Sequence, residues 1–192
     1  MKKTRKDIYN HHVVYIPKSK NKFRKIYIAN ELLAERLQTF HSRLKEIYDK
    51  YKVYDCDHAF FPGRNCITNA REHIENRYVL TVDLENFFDT LNTKHLEKRV
   101  PKQMLSLMIV DNHVPQGFST SPYLANIAMI DCDKYLFDTM ASLNKDIVDS
   151  RYADDLTFSF NDKALKEIVF SEIAKICHHF GFKIHPKKTR FQ

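Results

Sequence analysis

The sequence predicts an α+β domain with helices packed on one face of an antiparallel sheet. Three observations point there. Tyr78-Val79-Leu80-Thr81-Val82 is an apolar, β-branched run of strand length. Residues 147–160 read as two strands about a tight turn at Ala153-Asp154-Asp155, and in the second strand Leu156, Phe158 and Phe160 share one face while Thr157 and Ser159 share the other. Apolar stripes at helical spacing flank this hairpin on both sides.

Residues 12–29 read as a hairpin, with β-rich His12–Ile16, a polar turn at Lys18–Lys22, and Phe23–Ile28. Asn30 is a good N-cap for a long helix whose stripe is Leu33, Leu37, Phe40, Leu44, Ile47 and Tyr51. Residues 52–68 look irregular around Phe61-Pro62-Gly63-Arg64, and Thr68–Glu75 suits a short helix. The strand 78–82 delivers Asp83, and a short mixed segment fills 89–114. Ser121-Pro122 starts a helix with Leu124, Ala128, Cys132, Tyr135 or Leu136, and Met140 inward. After the strand hairpin, Asp162 caps a last helix with Leu165, Ile168, Val169, Ile173, Ile176 and Phe180 inward. Gly181 stands at its left-handed C-terminal cap, and Phe182–Ile184 is a short final strand. Helices and strands in this order suit two layers around one core.

The length of 192 residues allows one large domain or two small lobes, with enough core to fold without disulfides or structural metal. Cys56, Cys66, Cys132 and Cys177 are scattered without zinc spacing, and buried free thiols in a reducing compartment are expected. No stretch has signal-peptide or membrane-span character, so a cytoplasmic protein is expected. The net charge of +7, clustered at Lys2–Lys6, Lys18–Lys25 and Lys183–Arg190, favours a polyanionic partner, although a solvated basic face gives the same pattern.

Asp83 ends an apolar strand, and Asp154-Asp155 tip a hairpin. Brought together by a sheet, three carboxylates repel one another and call for a cation. Oxygen ligands of this kind suit Mg²⁺, and a pair of such ions serves phosphoryl transfer. Taken singly, Asp83 could be a helix cap and Asp154-Asp155 turn residues.

Tyr152-Ala153-Asp154-Asp155 resembles the YxDD box of reverse transcriptases, and Arg151–Leu156 its bacterial form. Val82–Phe88 is similar to the family's first catalytic box. Val114–Gly117, with Thr120-Ser121-Pro122 and Leu124-Ala125-Asn126, resembles the box between them. Gly181–Ile184 with Lys187-Lys188-Thr189 resembles the box that follows. The resemblance covers about residues 12–191 and implies a right-hand polymerase: fingers with their connection over 1–78, and an antiparallel palm sheet backed by helices over 79–192, with some fingers elements within 89–114. It implies an RNA-directed DNA polymerase that uses two Mg²⁺ ions, with Mn²⁺ as a substitute. Asp83 and Asp154 would hold both metals, Asp155 would assist, and the Leu84 carbonyl would be a further ligand. Phe88 would gate the sugar against a 2′-hydroxyl, its competing assignment being plain core. Gln116 and Gly117 would lie against the incoming dNTP, the glycine permitting close approach. Arg24, with Lys18 or Lys20, would hold triphosphate oxygens. Lys187 or Lys188 would protonate pyrophosphate, or be surface charge.

Asn69-Ala70-Arg71-Glu72-His73 matches the NAxxH pattern of retron reverse transcriptases, although His73 could equally be a packed histidine. The sequence departs from the family pattern in places. The fingers hairpin lacks the usual glycine pair, and Asp89-Thr90 and His185-Pro186 replace commoner residues. The chain also stops at Gln192, before the expected thumb, so weak grip on a template–primer is expected, or a partner that supplies the missing part. The implied partners are an RNA template and primer, dNTPs and a structured non-coding RNA. The competing class is a reverse-transcriptase-like RNA-binding or defence module with weak, template-independent or no polymerase activity.

Overall fold

The computed structural model describes residues 8–19 and 22–192. The chain forms two compact units, one built from residues through Tyr51 with Phe88–Ala128, the other from Lys52–Phe87 with Met129–Gln192.

In the first unit β1 (His11–Ser19) and β2 (Lys22–Ala29) form an antiparallel hairpin with Val13 opposite Tyr27 and Ile16 opposite Arg24. Asn30 caps α1 (Glu31–Gln38), its Oδ1 accepting the Leu33 N–H at 2.9 Å, a cap worth about 1 kcal/mol. The expected long helix is broken. Thr39 turns its hydroxyl onto the Arg36 carbonyl, the Phe40 N–H reaches back only three residues to Leu37, and α2 (His41–Tyr51) starts afresh. Leu33, Leu37, Phe40, Leu44 and Ile47 of the expected stripe are buried across the break, Tyr48 joins them, and Tyr51 is exposed. The rest of this unit contains most of α4 (Phe87–Thr90), then α5 (Thr93–Leu96), α6 (Lys102–Met108) and the first two turns of α7 (Ser121–Leu143).

The second unit holds a four-stranded antiparallel sheet in the order β4-β5-β3-β6, with β3 Tyr78–Asp83, β4 Val148–Tyr152, β5 Asp155–Phe160 and β6 Arg190–Phe191. Leu80, Val82, Leu156, Phe158 and Phe160 are buried on the apolar face, each side chain contributing roughly 1.5–3 kcal/mol. The later part of α7 buries Cys132, Leu136 and Met140, while Tyr135 is exposed. In α8 (Leu165–His179) the inward residues are Val169, Ile173, Ile176 and Cys177, whereas Ile168 faces solvent. Asp162 caps the turn before α8, accepting the Ala164 N–H, and is not the helix N-cap itself. At the other end the Phe182 N–H bonds to Cys177 O and Gly181 takes φ +81°, the expected left-handed cap.

Residues 52–78 fall in the unit that holds the sheet, where Cys56 O and the His58 N–H bond to the backbone of Arg151. Two sequence expectations shift. The short helix expected at 68–75 is α3 (Cys66–Arg71), begun earlier by Asn65 in a capping box with Thr68. The final strand is Arg190–Phe191; in the segment 182–184 only Ile184 bridges, to Leu84, before His185-Pro186 turns the chain. Cys56, Cys132 and Cys177 are buried free thiols as expected, but Cys66 is exposed. Among the described residues no helix is long and apolar enough to cross a membrane.

Candidate active site

Two strands place two of the three carboxylates. Asp83 ends β3 directly opposite Asp155, the first residue of β5. Asp154 occupies the turn between β4 and β5, and its carbonyl accepts the Leu84 N–H at 2.9 Å. The turn is tight because Ala153 adopts φ +57°, a left-handed conformation that costs an L-residue about 1 kcal/mol and so needs support. Arg151 supplies it, Nη1 donating to the Ala153 carbonyl at 3.2 Å.

Arg151 is itself fixed. Its Nε and Nη2 donate to both carboxylate oxygens of Asp133 at 2.9 and 2.8 Å, and the two side chains are only 1% and 10% exposed. The Asp133 carboxylate beside it holds the guanidinium firmly protonated. Little in the local pattern signals this pair. The available signal was a charged Asp133 beside the inward stripe of α7, where a carboxylate needs a buried partner.

Asp83 is buried, while Asp154 is half-buried and Asp155 exposed. Partial desolvation, then the Asp154 and Asp83 carboxylates, raise the Asp155 pKa above the usual carboxylate range, and Lys188 and Arg190 pull the other way. Lys188 Nζ stands 2.5 Å from Asp83 Oδ2, and that hydrogen bond holds its ammonium above the ordinary lysine range. Lys187 is exposed and only its backbone N–H engages, at His185 Nδ1. Of the two lysines, Lys188 alone reaches the carboxylates. Among the described residues no three His, Cys, Asp or Glu side chains stand together as a metal-binding group. The donor chemistry still fits a hard cation. Beside partial burial, the neighbouring carboxylates help raise Asp155; their negative charge is what a divalent ion would relieve, and Lys188 already neutralises part of it.

A cleft of about 480 Å³ opens over these residues, lined by Asn69, Asp83, Tyr152, Asp155, Lys188 and Arg190 among others. Asn69 and His73 both bond to Ser150 on β4, so the Asn69-Ala70…His73 motif braces the polar face of the sheet, with Ala70 exposed. His73 is buried between Ser150 and Ser159, and desolvation lowers its pKa to about 4.

The remaining expected residues belong to the other unit. Arg24 and Lys18 are exposed on the hairpin, and Lys20 lies outside the described residues. Phe88 is half-buried, whereas Phe87 beside it is core, its ring 6.0 Å from that of Phe182. Gln116 O accepts the Tyr27 N–H at 2.7 Å. Gly117, at φ +114°, approaches β2 so closely that an added Cβ would lie 2.4 Å from Tyr27 O. Contact with the hairpin backbone is thus sufficient reason for the glycine.

The family model described as reverse transcriptase (RNA-dependent DNA polymerase) matches residues 16–192. The chain belongs to the reverse transcriptase family. The retron Ec73 reverse transcriptase of Escherichia coli is 26% identical over 170 residues, covering 77% of this chain and 54% of its own length. The retron Mx65 reverse transcriptase of Myxococcus xanthus is 29% identical over 188 residues, covering 82% and 43%. This reverse transcriptase chain spans about half the length of the curated relatives it matches. Among solved structures, an apo telomerase from Candida tropicalis, truncated from its C-terminal domain, superposes with a TM-score of 0.70 at 15% identity, covering 96% of this chain and 50% of that one. The telomerase of Candida albicans, in complex with a fragment of telomeric RNA, gives 0.66 at 14%, covering 95% and 42%. These likenesses establish the fold, an α+β fingers–palm architecture.

Proposed function

We propose that this chain is the nucleotidyl-transfer core of a retron-like RNA-directed DNA polymerase, joining dNTPs to a 3′ or 2′ hydroxyl on a primed RNA template. The observation that carries it is the cross-strand pairing of Asp83 with Asp155, with Asp154 beside them in the β4–β5 turn. The retron reverse transcriptases among its relatives support the retron branch. The partner that this reading implies is a structured RNA. Asp83, Asp154 and the Leu84 carbonyl would hold Mg²⁺ or Mn²⁺, with Asp155 assisting. A pair of such ions, when bound, activates the attacking hydroxyl and stabilises the leaving oxygen. The residues themselves have separate tasks. Lys188 carries the proton for the departing pyrophosphate on Nζ. Arg24 with Lys18 neutralises the triphosphate, and Gln116 and Gly117 lie against the nucleotide. Phe88 excludes the 2′-hydroxyl by bulk. Arg151, pinned by Asp133, keeps the carboxylate turn in its left-handed form.

A second reading rests on Lys188. With its ammonium paired to Asp83, Lys188 suits an RNA-binding or defence module that does not polymerise. Primer extension on RNA and DNA templates, with each dNTP and Mg²⁺, separates the two. Wild type should extend and Asp154→Ala should fall to background; equal incorporation by both would remove the carboxylate assignment.

A further inference from the structure

The Asn69–Asn76 segment belongs to a hydrogen-bond chain whose direction is set from the backbone. The Arg77 N–H donates to Asn161 Oδ1 at 3.0 Å, which fixes the orientation of that amide. Asn161 Nδ2 therefore donates to Asn76 Oδ1, and Asn76 Nδ2 to Ser159 Oγ, both at 2.8 Å. At the other end Ser150 Oγ donates its one proton to Asn69 Oδ1 at 2.8 Å. His73 lies between, Nδ1 2.8 Å from Ser159 Oγ and Nε2 2.7 Å from Ser150 Oγ. Ser150 has no second proton, so the imidazole must donate to it through Nε2. Nδ1 is then an acceptor and takes the Ser159 proton. One neutral tautomer satisfies every group, and burial disfavours protonation that would break the chain.

The chain ends on Asn69 in a specific orientation. Its Oδ1 is committed to Ser150, and its Nδ2 takes no acceptor among the described residues. Asn69 lines the carboxylate cleft. Across the sheet, Tyr152, Asp155 and Asp83 form one row of partners, and Ser150, Thr157, Thr81 and Arg190 form the next on the same face. The second row is two residues, about 7 Å, back from the carboxylates. Of this row Thr157, Thr81 and Arg190 line the cleft and make a polar, cationic floor behind the carboxylates, while Ser150 is buried beneath Asn69 and His73.

We propose that Asn69 is a strand-binding residue: its Nδ2 donates to a sugar or phosphate oxygen of a nucleic-acid strand lying along the Thr157–Thr81–Arg190 row, and the chain through His73 aims it. This rests on the polymerase reading. Asn69→Asp is the sharp test, because the carboxylate still accepts from Ser150 while the donor becomes an anion. In the full chain, a labelled primed template should bind the variant about tenfold more weakly by fluorescence anisotropy, one hydrogen bond being exchanged for a repulsion. The KM for primed template should rise by more than any fall in kcat, with the KM for dNTP within about twofold of wild type. Strand affinity within about twofold of wild type would overturn the contact, and a rise confined to dNTP would overturn the strand assignment. Asn69→Ala, which removes the donor without adding a charge, repeats the measurement if the aspartate variant is unstable. Histidine ¹⁵N NMR at pH 7 should place the His73 proton on Nε2; a proton on Nδ1 would overturn the aiming chain. If wild type binds primed template but extends none, the polymerase reading fails while the Asn69 contact is still measured by binding.

Discussion

Asp133→Asn tests whether the carboxylate turn is held from behind. Arg151 and Asp133 share two charge-assisted hydrogen bonds of 2.9 and 2.8 Å, and the guanidinium is only 1% exposed. The amide variant keeps one acceptor and removes the carboxylate charge that faces the buried guanidinium, leaving Asp57 as its more distant anionic neighbour. Removing one member of a buried pair costs about 3–5 kcal/mol. With a urea slope of roughly 2 kcal/mol per molar, the unfolding midpoint should fall by about 1.5–2.5 M. Circular dichroism through a urea titration reads this directly. The double variant Asp133→Leu with Arg151→Met should recover most of the loss, because an apolar pair of similar volume carries no desolvation cost. A drop below about 0.5 M for Asp133→Asn, or a double variant no better than the single, would refute the cost of breaking a buried charge pair behind the turn.

Two further outcomes follow from the packing. His73, neutral when folded down to a pKa of about 4, meets an unfolded value near 6.5, so its contribution is complete above about pH 6.5 and is lost as pH falls toward 4, by about 3 kcal/mol in total. Stability measured against pH should therefore fall more steeply in wild type than in His73→Asn over that window, and parallel curves would count against a buried neutral imidazole. Gly117→Ala, which puts a Cβ 2.4 Å from Tyr27 O at φ +114°, should cost about 2–5 kcal/mol in urea unfolding through strain and overpacking; a cost under about 1 kcal/mol would mean the loop moves freely off β2.

The carboxylates were legible because their signal is local. An apolar run ends at Asp83, and period-two alternation in Leu156–Phe160 fixes which face meets the core, so the sheet and its strand ends followed. Gly181 and Asn30 were legible for the same reason, a cap being a matter of three or four neighbouring residues. What escaped depends on distant partners. Asp133 meets Arg151 across 18 residues, and Asn69 meets Ser150 across 81. Periodicity reports neither. Lys187 and Lys188 differ by one step in an irregular turn, where no period selects the one that reaches Asp83. The break at Thr39 was hidden because the apolar spacing continues through it while a side-chain hydroxyl competes for the backbone.

The parallel bridge between Asp57 and Arg151 has a consequence for solubility. β4 is an outer strand of the sheet, and such a strand offers free N–H and C=O groups to any passing chain. The segment Cys56–His58 takes both backbone groups of Arg151, at 2.8 and 2.7 Å. A foreign strand that sought to extend the sheet would find its docking line interrupted at the residue that governs the carboxylate turn. The same loop thus guards this chain against edge-to-edge association with its own copies.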